Sequence, residues 1–383
     1  MLKLLDYITL KTHIVSLTFL KSDYFDFSNM FDILNLFLLI FSFIFKHPMH
    51  RPVHVSNSLS NDSISIIDNN YYNTLRGIEF IKYHFLKQLK RQLCLLRVSA
   101  PLFLDPETGL NDDLNGIERK VSFTPAALKG SGKKLEVVQS LAKWKRYVIW
   151  KYGLGDGIVA DMNAIRQDEQ IDQLHSLYVD QWDWEKPISN RSPHLLHAIV
   201  QIIFQCIKTV DSKLSWLRPP ILTDTEIFFI TSDELYSQFP HLTTKERENA
   251  IAKQHKAVFV ERIGGVMNGT NKRHDLRAPD YDDWELNGDI IVWSDIIDQS
   301  IELSSMGIRV NAESMEKQLK ELNLWEERKD LKYHQLILNN TLPQTIGGGI
   351  GQSRLCMFLL QKPHIAQVQS SWFPSIDSIN EHL

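Results

Sequence analysis

The pattern best suited to holding a phosphate is Gly347-Gly-Gly-Ile-Gly-Gln-Ser-Arg354, which runs into the apolar stretch Leu355-Cys-Met-Phe-Leu-Leu. Glycines without a Cβ let a ligand lie against the backbone, and the start of a following helix favours anions. Arg354 would then meet the phosphate. The run is neither the GxGxxG of a dinucleotide fold nor a loop ending in GK[ST]. Taken alone it also reads as a bare turn. A second pattern is Arg166-Gln-Asp-Glu169, leading through His175 into the segment that ends at Glu185. Arginine suits a bidentate phosphate contact. A strand carrying Gln181, Asp183 and Glu185 at alternate positions puts three polar groups on one face. Such a face is either a ligand platform or the wet side of an amphipathic strand.

Two acids form the third pattern: Asp289 at the head of an apolar strand, and Glu302 in Ile301-Glu-Leu-Ser-Ser-Met-Gly-Ile-Arg-Val310. Carboxylates from adjacent strands can hold Mg²⁺ against nucleotide phosphates, because that cation takes few protein oxygens. Strand alternation sets a condition. In an unbroken strand Ser305 and Arg309 face away from Glu302, so a bulge has to intervene if all three serve one site. The cluster Ser140-Leu-Ala-Lys143-Trp-Lys145-Arg146 and the run from Arg273 to Trp284 each read, by charge alone, as a solvated face. The loop Asn111-Asp112-Asp113-Leu-Asn-Gly116 has good turn chemistry and no further signal.

These groups need elements to position them. Ile78, Ile81, Phe85, Leu89, Leu93 and Leu96 recur at helical spacing and predict an amphipathic helix from Arg76. It leads into a strand-like stretch, Leu95 to Phe103, whose Pro101 suits an edge or a strand end. Strands are expected at 135–141, 177–180, 227–230, 257–260 and 288–293, and helices at 195–210, at 244–255 and after Gly351. Tight strand spacing without βαβ alternation predicts an α+β fold around a largely antiparallel sheet flanked by helices.

At 383 residues and a net charge of −4, the chain lacks the basic excess of a nucleic-acid-bound protein. Cys94, Cys206 and Cys356 are odd in number and scattered, which argues against disulfides or a zinc site and for reduced cysteines in a cytoplasmic protein. The first glycine is Gly77 and the first tryptophan is Trp144, so the opening differs in composition from the rest. Residues 1–72 are read as an extension and 73–383 as the catalytic domain. The apolar run Ile33–Phe45 is short for a membrane span. Three readings of the extension stay open: an appendage outside the catalytic fold, including a start placed too far upstream; a membrane or targeting segment; and a packed extension.

From about Arg76 to Phe373, stretches such as Arg277-Ala-Pro-Asp-Tyr-Asp-Asp-Trp284 and Pro343-Gln-Thr-Ile-Gly-Gly-Gly-Ile-Gly-Gln-Ser-Arg354 resemble the ammonia-dependent asparagine synthetase family. That family is similar in fold to the catalytic domain of class II aminoacyl-tRNA synthetases. Pro101, Arg166 to Glu169, and Gly347 to Arg354 look like its three signature motifs. The resemblance implies an ATP-binding ligase of asparagine biosynthesis that forms β-aspartyl-AMP and then admits ammonia. It implies Mg²⁺ with ATP, a homodimer, and neither nucleic acid nor membrane as partner of the catalytic domain. By the same resemblance the catalytic residues are Arg166, Arg354, Asp282 and Lys145. ATP and AMP would meet Arg166, Glu169, His175, Asp289, Glu302, Gly349 and Arg354, with the metal on Asp289 and Glu302. Aspartate would meet Asp112, Ser140, Lys145, Gln181, Asp183, Ser305 and Arg309. Gln139 departs from the family, which usually has His there. Glutamine as nitrogen donor would need a nucleophilic cysteine, often at the N-terminus, and the chain begins Met1-Leu2.

Overall fold

The computed structural model describes residues 61–374 except 113 and 115–117, with only the backbone of 61–70. Residues 1–60, with the run Ile33–Phe45, and the loop positions Asp113, Asn115 and Gly116 lie outside the described residues.

The predicted amphipathic helix is the first element, α1 (Asn61–Leu93). Ile81, Phe85, Leu89 and Leu93 recur every fourth residue, so they form one stripe, and all four are buried. Strand β1 (Leu95–Val98) follows and stops short of Pro101, so the expected single stretch to Phe103 is divided. Phe103 belongs instead to β2 (Phe103–Leu104), which with β3 (Ser122–Phe123) and β4 (Leu135–Val137) forms a small sheet ordered β2-β4-β3. Helix α2 (Ala142–Lys151) carries the cluster that includes Lys143, Lys145 and Arg146.

The main sheet adds β5 (Gly157–Ile165), β6 (Tyr178–Pro187), β7 (Phe228–Thr231), β8 (Ala257–Glu261), β9 (Asp282–Ser294), β10 (Gln299–Arg309) and β11 (Thr345–Gly351). Among the described residues its order is β1-β5-β6-β11-β10-β9-β8-β7. Pairing is parallel only at the margins, β1 with β5 and β7 with β8, and antiparallel at the five junctions between. The expected α+β arrangement with a largely antiparallel sheet is therefore what the chain adopts. Two expectations change. The segment Gly157–Ile165 is a strand that the sequence reading passed over, and the glycine run is a central strand, not a turn before a helix.

Helices cover both faces. Helix α3 (Pro193–Lys213) starts at Ser192, whose hydroxyl accepts the Leu195 N–H at 3.2 Å, with Pro193 in the first turn. It packs with α1 and with α9 (Gln352–Leu359) against the sheet, in a core containing Trp182, Trp184, Phe259, Ile346 and Leu355. Helix α4 (Ser232–Gln238) and α5 (Thr244–His255) open with capping boxes, Thr231 with Glu234 and Thr243 with Glu246. The ends of α5 are those expected from sequence. Helices α6 (Ala312–Glu321), α7 (Trp325–Arg328) and α8 (Lys332–Leu338) precede the glycine strand. Since alternate residues point to opposite faces, Trp182 and Trp184 commit one face of β6 to the α1/α3 core. Gln181, Asp183 and Glu185 then face α2.

Docking of α1 rests on Phe85, whose ring centroid lies 4.8 Å from that of Trp182. Phe85→Ala should lower stability by about 3–5 kcal/mol, the usual cost of emptying a buried phenyl site. Urea denaturation of the two proteins measures this difference.

Candidate active site

The bulge that the sequence required is present. In β10 Glu302 pairs with Ile291 while Ser304 pairs with Ile290, so Leu303 is an inserted residue. The insertion inverts the alternation, and Glu302 comes to share a face with Ser305, Gly307 and Arg309. A second irregularity lies beyond it: Gly307 pairs with Asn287 and Arg309 with Asp282, so residues 283–286 of β9 bow out opposite Ile308 alone. This displacement brings the Asp282 carboxylate to the Arg309 guanidinium.

Glu185 and Arg309 stand on β6 and β10, with β11 between them. They nevertheless meet. Arg309 Nε donates to Glu185 Oε1 at 3.0 Å and its Nη2 donates to Oε2 at 2.7 Å, while Nη1 donates to Asp282. The contact passes directly over Gly347, where a Cβ would lie 1.9 Å from Glu185 Oε2 and 2.7 Å from Arg309 Nη2. A Cβ on Gly349 would similarly lie 2.4 Å from Gln181 Oε1. The glycines are needed because side chains of the neighbouring strands cross above this one. Burial alone would raise the Glu185 carboxyl, but the Arg309 charge and hydrogen bonds, together with the Lys145 charge, outweigh it and hold the acid below its usual range. Arg309 is correspondingly pushed well above the usual guanidinium range by Glu185 and Asp282, against its own burial.

Helix α2 delivers Lys145, whose Nζ donates to Asp183 Oδ1 and, at 3.1 Å, to the Gly348 carbonyl. Its burial pushes the ammonium down, opposed by Asp183. The same helix sends Lys143 to Asp280, which also accepts from His334, so α2 and α8 are tied to one carboxylate. At the other end of the site Arg277 donates to both oxygens of Asp289, at 2.8 and 2.7 Å, and to the Ser305 hydroxyl. Burial pushes Asp289 up to about 7; Arg277 opposes this and the nearby Glu302 charge adds to it. Glu302 is held down by Arg354 and Arg277 against its own burial, and Arg354 lies 3.7 Å from it.

One cavity of about 360 Å³ gathers most of the residues anticipated from sequence. Its wall includes Ser140, Lys145, Arg166, Glu169, His175, Gln181, Asp183, Asp282, Asp289, Glu302, Ser305, Arg309, Gly349 and Arg354. Asp112 is buried beside it and is not among the lining residues; its carbonyl accepts from Gln139 Nε2. Lys145 and Asp183, both expected to meet aspartate, are paired with each other. Arg277, Tyr281 and Asp275 also line the cavity and were missed. Arg277 was visible in the Arg-Ala-Pro-Asp run, but a charge-rich segment reads by default as a solvated face.

The cavity wall brings Arg166 and Arg354 together with Asp289 and Glu302 beside the largely antiparallel sheet. The chain superposes on the asparaginyl-tRNA synthetase of Entamoeba histolytica in complex with asparaginyl-adenylate with a TM-score of 0.58 at 14% identity, covering 84% of this chain and 73% of that one. The asparaginyl-tRNA synthetase of Pyrococcus horikoshii complexed with asparaginyl-adenylate gives 0.56 at 13%, covering 79% and 70%. At such identities the likeness is one of fold, that of the class II aminoacyl-tRNA synthetases. Residues 72–382 match the aspartate-ammonia ligase family model. Aspartate–ammonia ligases of Clostridium tetani and Ruminiclostridium cellulolyticum are 50% and 51% identical over 307 and 311 residues, which is 79% and 80% of this chain and 89% and 91% of theirs. The chain belongs to the aspartate–ammonia ligase family.

The raised Asp289 carries a pH signature. A folded state that binds a proton more tightly than the unfolded chain loses stability as pH rises between the two pKa values. From about pH 4 to pH 7, Asp289→Asn should therefore gain stability relative to the parent, with a plateau above. Denaturation midpoints measured across that range show the gain; a difference independent of pH contradicts it.

Proposed function

We propose that this chain makes asparagine from L-aspartate and ammonia, using ATP in two steps within the one cavity. In the first, an oxygen of the side-chain carboxylate bonds to the α-phosphorus. The bond from that phosphorus to the bridging oxygen breaks, and pyrophosphate leaves. In the second, the ammonia lone pair attacks the acyl carbon, the bond to the AMP oxygen breaks, and the surplus proton on nitrogen departs. What supports this most directly is that a single cavity joins Arg166, Arg354 and two acids at one end to a buried guanidinium and ammonium at the other.

Arg166 donates weakly to the Gln139 carbonyl, at 3.5 Å, and Arg354 to the Glu302 carbonyl, at 3.2 Å. Both guanidiniums can therefore turn donors toward the negative charge that builds on the phosphoryl oxygens. Asp289 and Glu302 fit a divalent cation: burial and their mutual repulsion strain the pair, and oxygen donors suit Mg²⁺. When bound there, Mg²⁺ would neutralise phosphate charge. Glu169 and His175 are assigned to the adenine side and Gly349 to the bound nucleotide. Arg309 and Lys145 are assigned to the aspartate carboxylates, with Ser305 and Ser140 as donors. The Ser140 Oγ accepts the Ala142 N–H at 3.1 Å and keeps its own hydrogen to give. Asp112, Gln181 and Asp183 are assigned to the ammonium of aspartate, and Asp282 to the proton lost from the incoming nitrogen. Preorganisation by ion pairs made before substrate arrives is what lowers the barrier in such a site.

The same reading assigns a cytoplasmic enzyme that pairs with a second copy through α1 and β1, where Tyr83 and Leu96 are exposed. With aspartate, ATP, Mg²⁺ and ammonium, the products should be asparagine, AMP and pyrophosphate. ADP in place of AMP, or turnover only with glutamine or tRNA, overturns the reading. Arg354→Ala and Asp289→Ala should each lower kcat on the order of 10²- to 10³-fold while leaving a folded protein.

A further inference from the structure

Gln139 lines the cavity and is fully buried, but the roles above leave its side chain unused. Its orientation is set by its neighbours. Nε2 donates to the Asp112 carbonyl at 3.2 Å, and a flipped amide would bring two carbonyl oxygens face to face. The backbone is fixed as well, since Gln139 N donates to Asn111 Oδ1 at 3.1 Å and the Gln139 carbonyl receives Arg166. Held in this way, Oε1 accepts no hydrogen bond among the described residues. Asp183 Oδ2, on the same cavity wall, accepts none either, because Lys145 is bound to Oδ1.

Two buried acceptors without donors are costly to keep, and a ligand bearing several N–H groups would satisfy both. The nearby cations are already engaged: Lys145 by Asp183, Arg309 by Glu185 and Asp282. Of the groups brought by ATP and L-aspartate, the phosphates and carboxylates offer only acceptors. Adenine is assigned to the Glu169 and His175 side. An ammonium presents three donors and a positive charge, which matches one neutral and one anionic acceptor.

We infer that Gln139 Oε1, together with Asp183, recognises the α-ammonium of the amino-acid substrate, making Gln139 a specificity-determining residue. The inference rests on the reading of L-aspartate as substrate. It explains how a cavity built for a four-carbon dicarboxylate rejects the same skeleton without the amine, since that ligand would leave both acceptors buried and unpaired.

The test is calorimetric binding of L-aspartate and of succinate, which lacks only the amine, to the full chain and two variants. The parent should bind L-aspartate at least ~10-fold more tightly than succinate. Gln139→Leu should reduce that ratio several-fold through loss of aspartate affinity alone. Gln139→Glu keeps an acceptor but gives up the Nε2 bond to Asp112, and should retain most of the ratio. If the residue only supports the Asp112 loop, both variants weaken both ligands alike, and the inference falls. It falls too if the ratio in Gln139→Leu equals that of the parent, or if the parent binds neither ligand. Asparagine formation by the same parent preparation reports separately on the proposed reaction, so tight aspartate binding without turnover would overturn that reading and leave this one standing.

Discussion

The site depends on one contact: the Glu185 carboxylate and the Arg309 guanidinium meeting across an intervening strand. Both groups are removed from water, and such a pair repays its desolvation only when geometry and further hydrogen bonds are favourable. Here the geometry is a two-point fork on Glu185, completed by Asp282 on the remaining nitrogen. Its value lies in placement more than in stability. Three strands, β6, β10 and β9, contribute one member each, so the register of the central sheet is read out in a single buried cluster at the floor of the cavity.

Several features follow from that contact. Position 347 has to be glycine, because the two charged groups occupy the space above it. The wide displacement of residues 283–286 is what sets Asp282 against Arg309, and the inserted Leu303 is what returns Glu302 to the same face. Lys145 then sits between Asp183 and the Gly348 carbonyl, so α2 is tied to β6 and β11 together. The charged groups at this end are paired with one another. At the other end Arg277 stands against Asp289, whose carboxyl is pushed up by burial while that of Glu302 is held down by Arg354 and Arg277.

Much of this arrangement was legible in the chain. Gln181, Asp183 and Glu185 alternate with Trp182 and Trp184, and that two-sided pattern alone separates a polar platform from a core face. The spacing of Glu302, Ser305 and Arg309 demanded a bulge, because strand alternation allows no other way to bring them together. Helix α5 spans the residues expected of it, Thr244–His255, and a capping box of Thr243 with Glu246 opens it. What stayed hidden depends on contacts distant in sequence. Glycine disfavours strands by itself, so Gly347–Gly349 looked like a turn; the reason for the glycines lies in side chains of residues 185 and 309. Strand β5 is buried along its first half and alternates only later, which blurs its period. Arg277 sat in a charged run whose composition resembles any solvated surface, and the mutual pairing of Lys145 with Asp183 joins residues 38 apart.

The glycine at 347 is a consequence of the ion pair above it, and a stability cycle tests that dependence directly. Gly347→Ala would be measured by urea denaturation in the parent and in a Glu185→Ala, Arg309→Met background. Strong coupling is expected, with the added methyl costing about 1–3 kcal/mol less where the two charged groups are gone. Equal costs in both backgrounds would contradict it, because the glycine would then serve something other than the crossing of Glu185 and Arg309.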